Sequence, residues 1–374
     1  MMTESKNARG CCLATTFALT LLLLTAPVLA ADRSPALQDR LAELVGQDRA
    51  PALFAAVIDR GGVAYAEAVG VRRRGFSAKV TTNDLLRINS NTKAMTAMML
   101  ATLVQDGTFP SGWQTTMQDV FPDLTKDIHE DYHTVTLFEL LSMRSGVKKD
   151  ARNHTDYRYA SISDVADRRY AFLREHFGEP PERARGRFRY SNLSMTMAAA
   201  MGERLTRMSW DTLMRERLFK PLGMTRAGIG EPSKNGPDQP WGHYHDRDRT
   251  WVSREDEIPA IYGPAGAVHV TIHDWAKFIG QWFRGAEVKV LDRRTQTALI
   301  TPEQRKSRYA GGWRLKRRNG SIHRIWHTGG SKTWRSLLDV HMRSGKAYLA
   351  VATGRDRDRP STRKMLESIV KSMR

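Results

Sequence analysis

Residues 90–104 read SNTKAMTAMMLATLV. This stretch places a Ser-x-x-Lys pattern at the start of the longest apolar run after residue 30, which predicts a helix over Ala94–Val104. The positive end of a helix dipole and its free backbone N–H groups stabilise negative charge on a serine oxygen. Lys93 follows Ser90 by three residues, so its amine lies one helical turn away, on the same face. The pattern therefore indicates Ser90 as a nucleophile that Lys93 helps to activate.

The same pattern occurs at three other places, and a helix cap followed by a surface lysine would also produce it. Ser361–Lys364 and Ser368–Lys371 fall in a predicted C-terminal helix, with no further motif after them. Ser145–Lys148 contains a glycine next to the serine, which indicates a loop rather than a helix start. Ser90 alone precedes an apolar helix and has the remaining motifs downstream.

A second motif is Tyr190-Ser191-Asn192, the one Tyr-x-Asn in the sequence. A tyrosine beside a lysine ammonium can serve as a general base. An asparagine both donates and accepts hydrogen bonds, so Asn192 can hold a substrate amide and the lysine together. A buried tyrosine beside a turn asparagine is the alternative interpretation.

The third motif, His327-Thr328-Gly329-Gly330, follows the strand-like run Ile322–Trp326. A glycine at this place allows the backbone of a substrate to approach the strand closely. The N–H of the following glycine can then act as an oxyanion donor, and the histidine and threonine side chains can meet a substrate carboxylate. Taken alone, the motif is also compatible with a plain Gly-Gly turn.

Strand patterns lie near both ends of the chain. The runs Ala52–Ile58 and Val63–Val69 flank a glycine-containing turn, which predicts an antiparallel hairpin. Two more runs, Trp334–Met342 and Lys346–Thr353, predict a second hairpin. Helical spacing over Pro35–Val45 and over residues 361–373 adds a terminal helix at each end.

The middle of the chain has helical patterns, as over Leu137–Leu141, Leu193–Leu205 and Trp210–Leu218. We therefore predict an α+β fold: an antiparallel sheet flanked by the terminal helices, with a large, mainly helical insertion. The predicted domains are a discontinuous sheet domain of residues 31–89 and 266–374 and a helical domain of residues 90–265.

Residues 1–30 have the pattern of a signal peptide. Lys6 and Arg9 precede the apolar run Cys11–Leu24, and the small residues up to Ala30 predict cleavage after that position. An uncleaved anchor is the alternative, since the run approaches spanning length. We expect an exported protein, periplasmic or secreted, with no stable membrane span after cleavage. Cleavage would remove both cysteines, excluding disulfides, cysteine-ligated zinc and a thiol nucleophile.

The chain of 374 residues has 59 Lys plus Arg against 40 Asp plus Glu, a net charge of +19. An exported protein is not expected to meet nucleic acid, so such a surface suits anionic polymers of the cell envelope. The densest clusters are Arg72–Arg74 and Lys316–Arg318, each of which is also compatible with a solvated turn. His243-Tyr244-His245-Asp246 has a metal-like composition without a third ligand at helical spacing, and we interpret it as a surface loop.

The order Ser-x-x-Lys, Tyr-x-Asn, His-Thr-Gly resembles the penicillin-recognising serine hydrolases. It resembles most the group of class C β-lactamases, D-alanyl-D-alanine carboxypeptidases, D-aminopeptidases and related esterases. Three further segments are similar to segments of that family, so the resemblance extends over nearly all of residues 40–370. These segments are Thr136–Val147, Leu218–Met224 and Gly263–Thr271.

The resemblance implies an acyl-enzyme mechanism without metal or organic cofactor, on a small-molecule or peptide substrate. It implies that Ser90 is acylated and that Lys93 and Tyr190 share the proton transfers. By the same resemblance Asn192 holds the acyl chain and the lysine. In the third motif, His327 and Thr328 then face the leaving group of the substrate or its carboxylate, and Gly329 lets the substrate approach the strand. The backbone N–H groups of Ser90 and Gly330 form the oxyanion hole.

The third motif departs from the family pattern, because His327 stands where class C β-lactamases have lysine. A mostly neutral histidine attracts a β-lactam carboxylate less than a lysine does, which favours a peptidase or an esterase. Met143 and Arg144 stand where a histidine is frequent, away from the expected chemistry. Lys332 is bulky for a strand that a substrate must pass.

A non-catalytic binder of cell-wall material on the same fold is the alternative function, and it would not need Lys93 or Tyr190.

Overall fold

Strands from the two ends of the chain pair side by side in the computed structural model. It describes residues 34–150, 161–236, 238–283, 285–286, 288–304, 306–356 and 361–374. The predicted signal peptide lies outside these residues. Within them the strands are β1 (Ala52–Asp59), β2 (Gly62–Gly70), β3 (Leu86–Arg87), β4 (Gly228–Ile229), β5 (His243–His245), β6 (Trp251–Ser253), β7 (Val268–Val270), β8 (Tyr309–Ala310), β9 (Trp313–Arg318), β10 (Ser321–Gly330), β11 (Arg335–His341), β12 (Lys346–Ala352) and β13 (Gly354–Arg355).

The main sheet has seven strands in the order β2-β1-β12-β11-β10-β9-β8. All of its pairings are antiparallel, and β1 pairs with β12 in the register Leu53↔Ala352 to Ile58↔Ala347. The prediction that strands from both ends share one sheet is therefore confirmed. The strand β10, which carries the third motif, lies between β11 and the short strand β9.

Twelve α-helices lie within the described residues. They are α1 (Pro35–Gly46), α2 (Thr92–Gln105), α3 (Met117–Val120), α4 (Glu130–His133), α5 (Leu137–Leu141), α6 (Val165–His176), α7 (Asn192–Thr206), α8 (Trp210–Met214), α9 (Gly263–Gly266), α10 (Ile272–Gly280), α11 (Arg293–Ile300) and α12 (Thr362–Ser372). A π-helical turn, Arg215–Phe219, continues α8. Among these described helices, none combines the length and the apolar character needed to cross a membrane.

Each face of the main sheet packs on helices, because side chains alternate between the faces along a strand. In β1, Leu53 and Ala55 face a small core shared with the terminal helices α1 and α12. Phe54 and Ala56 face the large core, which the remaining helices complete. This arrangement confirms the predicted α+β class with flanking terminal helices.

The helix α2 runs through the large core, and every residue from Thr92 to Leu103 is buried. A helix that is buried on all sides contains few charged residues, so the lysine at its second position needs polar partners inside the protein. The described residues belong to a single compact unit. The domain boundaries at residues 90 and 265 remain a prediction.

The segment His243–His245 is a strand, and the interpretation as a surface loop is wrong for these residues. The strand β5 pairs with β6 and, in parallel, with β13. His243 is buried, its Nδ1 lies 2.8 Å from the carbonyl oxygen of Thr353, and its Nε2 accepts a hydrogen bond from the backbone N–H of Arg74 at 3.0 Å. Burial lowers the pKa of His243 to about 4. A three-residue strand is too short to show the alternation by which strands are predicted.

Candidate active site

Ser90 lies in a single 3₁₀ turn, Asn89–Asn91, that leads directly into α2. Asn89 has a φ of +49°, in the left-handed region that asparagine adopts more readily than most residues. The turn sets the serine at the N-terminal end of the long buried helix α2, where the helix dipole favours negative charge.

Lys93 is completely buried in the first turn of α2. Its Nζ donates hydrogen bonds to Ser90 Oγ at 3.3 Å, to Asn192 Oδ1 at 2.7 Å and to the carbonyl oxygen of Ala265 at 2.8 Å. Three acceptors match the three donors of an ammonium group, and they offset the cost of removing it from water. The lysine amine is thus held within hydrogen-bond distance of the serine hydroxyl.

The second motif meets the first motif at Lys93. Asn192 is the first residue of α7, and its side chain accepts from Lys93 while donating from Nδ2 to Asp150 Oδ1 at 2.7 Å. The ring of Tyr190 lies beside the same amine, with 4.9 Å between Nζ and the ring centroid. A cation over an aromatic face at this distance is attracted to it. Asp150 extends the network by one carboxylate that the sequence pattern did not indicate.

Met143 supports the segment that carries the second motif. It adopts a φ of +59°, and its carbonyl oxygen accepts a hydrogen bond from the N–H of Arg189 at 2.8 Å. The N–H of Ser191 donates to Met143 Sδ at 3.4 Å. Met143 therefore contacts the backbone on both sides of Tyr190, although we expected it to lie away from the site.

His327 lies on β10 and is only 1% exposed. Its Nε2 is 3.3 Å from the hydroxyl of Tyr309, and its Nδ1 is 2.8 Å from the carbonyl oxygen of Thr328. Burial, with the nearby charges of Lys93 and Arg314, lowers the pKa of His327 to about 3. The imidazole is therefore neutral at physiological pH, as we expected.

The end of β10 offers an open edge beside Ser90. The strand β9 pairs with β10 only as far as Trp326↔Arg314, so no described strand pairs with His327–Gly330 on that side. A Cβ at Gly329 would collide with the carbonyl oxygen of Ile88 and with Ser336 Oγ. Glycine is required there because the strand lies directly against the turn that carries the serine.

A pocket of ≈ 290 Å³ opens at this edge. The predicted residues Ser90, Tyr190 and His327–Gly330 line it, whereas Lys93 and Asn192 lie behind its wall and reach it through Ser90. We call it the active-site pocket. All eight predicted residues are thus brought to one place by three separate elements, β10 and the N-terminal ends of α2 and α7.

Three arginines that the sequence analysis did not single out also line this pocket. They are Arg314 on β9, Arg335 on β11 and Arg363 on α12. The register of the β10–β11 hairpin pairs Arg335 with Gly330, so strand pairing is the signal that could have identified it. Nothing in the sequence indicated that α12 would reach the pocket.

The other candidate residues do not line this pocket. Ser145 is buried in a loop with its Oγ 2.9 Å from Ser194 Oγ, and Lys148 forms an ion pair with Glu179. The described part of the chain has no group of three or more His, Cys, Asp or Glu side chains able to hold a metal ion. Lys332 is exposed just beyond β10, and its N–H donates to Asp256 Oδ2 at 2.6 Å.

Comparison with known proteins gives a consistent family. The family model described as Beta-lactamase matches residues 37–366. The unguisins hydrolase ungD' of Aspergillus campestris is 27% identical over 323 residues, covering 80% of this chain and 58% of that protein. Penicillin-binding protein 4 of Amycolatopsis lactamdurans is 27% identical over 258 residues, covering 64% of this chain and 61% of that protein. The chain thus spans less than two thirds of either relative.

Solved structures share the fold. The D-alanine carboxypeptidase AmpC of Burkholderia cenocepacia superimposes with a TM-score of 0.66 at 17% identity, covering 90% of this chain and 99% of that chain. The D-amino acid amidase of Ochrobactrum anthropi SV3 gives a TM-score of 0.67 at 22% identity, covering 86% of this chain and 92% of that chain. The chain belongs to the beta-lactamase family and has its serine-hydrolase fold.

Proposed function

We propose that this protein is an exported serine hydrolase that works through an acyl-enzyme on Ser90. The observation that carries the proposal is the position of the Lys93 amine, which donates to Ser90 Oγ and to Asn192 from a fully buried site. A buried lysine whose partners include a pocket-lining hydroxyl is suited to proton transfer with that hydroxyl.

In the first step, Ser90 Oγ attacks the carbonyl carbon of the substrate while its proton passes to the pair formed by Lys93 and Tyr190. The carbonyl oxygen gains negative charge, which the N–H groups of Ser90 and Gly330 stabilise. The bond to the leaving amine or alcohol then breaks, and the leaving group takes up the proton that the pair holds. Asn192 keeps the lysine in place and binds the acyl side of the substrate.

In the second step, water attacks the carbonyl carbon of the acyl-enzyme and gives a proton to the same pair. The acid product departs, and the proton returns to Ser90 Oγ. Each residue of the pair therefore acts as base and then as acid within one cycle. No metal or organic cofactor takes part in the proposed cycle.

The charges of the pocket favour a substrate that carries a carboxylate, so we place a D-peptidase first and keep an esterase as the other candidate. A neutral His327 supplies no permanent positive charge at the third motif. Arg314, Arg335 and Arg363 line the same pocket and can attract a substrate carboxylate from its rim. The C-terminal carboxylate of a peptide meets this requirement, whereas a simple ester has no group for it. The carboxypeptidase and amidase among the structural neighbours agree with this choice.

A catalytically inactive binder of cell-wall material is the alternative function. Such a protein would need the pocket and Gly329, but it would have no use for the network that joins Lys93 to Ser90 and Asn192. The intact network therefore favours the enzyme.

The test is the intact mass of the purified protein after incubation with a labelled penicillin, a D-alanyl-D-alanine peptide or a p-nitrophenyl ester, with turnover followed in parallel. Peptide cleavage with a stable penicillin adduct supports the D-peptidase, and ester turnover without an adduct supports the esterase. Ser90→Ala should abolish both, while Ser368→Ala, the matched control at an exposed serine of another Ser-x-x-Lys, should keep them. If the wild type and Ser90→Ala both bind the peptide, and neither forms an adduct or shows turnover, the result would support the inactive binder.

A further inference from the structure

A second, larger depression of ≈ 810 Å³ lies beside the active-site pocket. The loop before β8, the strands β9 and β10 and the C-terminal end of α12 form its walls. We call it the basic groove, because eight of its lining residues are lysine or arginine and only one, Glu367, is acidic. Glu367 is itself engaged by Arg363, at 2.9 Å.

Two of these cations have a counter-charge within the fold. Arg324 and Arg374 both pair with the buried Asp339. The other six form no ion pair with a carboxylate in the described part of the chain. These six are Lys306, Arg308, Arg314, Lys316, Arg317 and Lys371.

Packing within the fold does not account for this concentration of charge. Like charges around one depression repel each other, and a low-dielectric wall strengthens their combined field. The Nε atom of Arg314 is buried and has no hydrogen-bond partner among the described residues. Six unpaired cations on three elements suit a ligand with several negative groups along its length.

The basic groove adjoins the active-site pocket. Arg314 and Leu337 line both depressions. Arg314 stacks over the ring of Trp326, with 5.3 Å between its Cζ and the ring centroid, and its charge also reaches His327. A chain of negative groups lying along the groove would therefore end at the open edge of β10.

We propose that the basic groove binds a linear polyanion, a polymer with phosphate or carboxylate groups along its length. Since Arg314 joins the groove to the active-site pocket, the bound polymer presents its end to Ser90; this last step rests on the proposed function. Binding itself needs only the groove, so it does not depend on Ser90.

The experiment measures binding of the full chain to end-labelled inorganic polyphosphate and, separately, to poly-L-glutamate, by fluorescence anisotropy at two salt concentrations. The test variant Lys316→Glu/Lys371→Glu reverses two exposed charges on opposite walls of the groove. The matched control, Lys79→Glu/Lys126→Glu, makes the same change in net charge at exposed positions outside it.

We expect the groove variant to bind about tenfold or more weakly at low salt, with a shallower salt dependence, and the control to stay within about threefold of the wild type. Preference for polyphosphate would identify phosphate as the recognised group, and preference for polyglutamate would identify carboxylate.

Equal weakening of binding in the two variants would overturn the proposal, because binding would then follow net charge alone. The absence of binding to both polymers would overturn it as well. The Ser90→Ala variant should bind like the wild type. A failure of hydrolysis and a failure of the groove are therefore observed separately.

Discussion

The buried histidine of the active site should make the stability of the protein depend on pH. Burial lowers the pKa of His327 from 6.5 to about 3. Between these values the unfolded chain binds more protons than the folded one, so the free energy of unfolding rises with pH. The contribution is fully present above pH 6.5 and is lost as the pH falls toward 3. Lowering the pH from 8 to 5 should remove about 2 kcal/mol through this one residue.

The assay is urea unfolding, followed by tryptophan fluorescence at several pH values between 8 and 5. The perturbation is His327→Gln, which keeps a hydrogen-bonding side chain but cannot take up a proton. The variant should lose about 2 kcal/mol less than the wild type over this range, whatever its stability at pH 8. His243, with a pKa lowered to about 4, offers a second arm. His243→Gln should remove a similar part of the pH dependence, and the double variant should remove both parts.

The comparison of slopes decides whether the reasoning holds. A loss of stability that is the same at every pH does not affect the result, because only the change in the free energy of unfolding with pH is compared. If His327→Gln unfolds with the same pH dependence as the wild type, then the imidazole takes up a proton in the folded protein. The lowering of the pKa of His327 by burial would then be refuted.

Three further substitutions test the packing around the site. Asn192→Ala removes the 2.7 Å acceptor of Lys93, so kcat/KM should fall by about ten- to a hundredfold in a peptide or ester assay. Gly312→Ala would place a Cβ 2.5 Å from the carbonyl oxygen of Lys93 at a φ of +76°, so thermal unfolding should show a loss of about 1–3 kcal/mol, and turnover should fall as well. Arg169→Ala leaves Glu203 buried without its bidentate partner, so urea unfolding should show a loss of about 3–5 kcal/mol. A wild-type value in any of these measurements contradicts the corresponding contact.

The parts of the fold that the sequence predicts are those with a local or repeated pattern. The hairpin of β1 and β2 follows from two apolar runs around a glycine turn, and α2 follows from the mainly apolar run Ala94–Val104. The meeting of the three motifs could be anticipated only from their joint order, since no local pattern states that Tyr190 lies beside Lys93. The family match confirms the fold that this order implied.

The parts that the sequence does not predict depend on register and on contacts between distant elements. Arg335 enters the pocket because the β10–β11 hairpin sets it opposite Gly330. Arg363 enters because α12 packs on that face of the sheet. Neither position differs in the sequence from other arginines of a basic chain. Asp150 joins the network in the same way, through the side chain of Asn192.

These unpredicted arginines change the meaning of the histidine at the third motif. A lysine in the place of His327 would concentrate positive charge at one buried point, next to Lys93. Here that point is neutral, and the charge is carried by arginines at the rim, one of which also belongs to the basic groove. With a neutral histidine at this position, Lys93 has no like-charged neighbour there, and the arginines still attract an anion. On the proposed function, the site is therefore suited to substrates whose negative groups extend beyond the scissile bond.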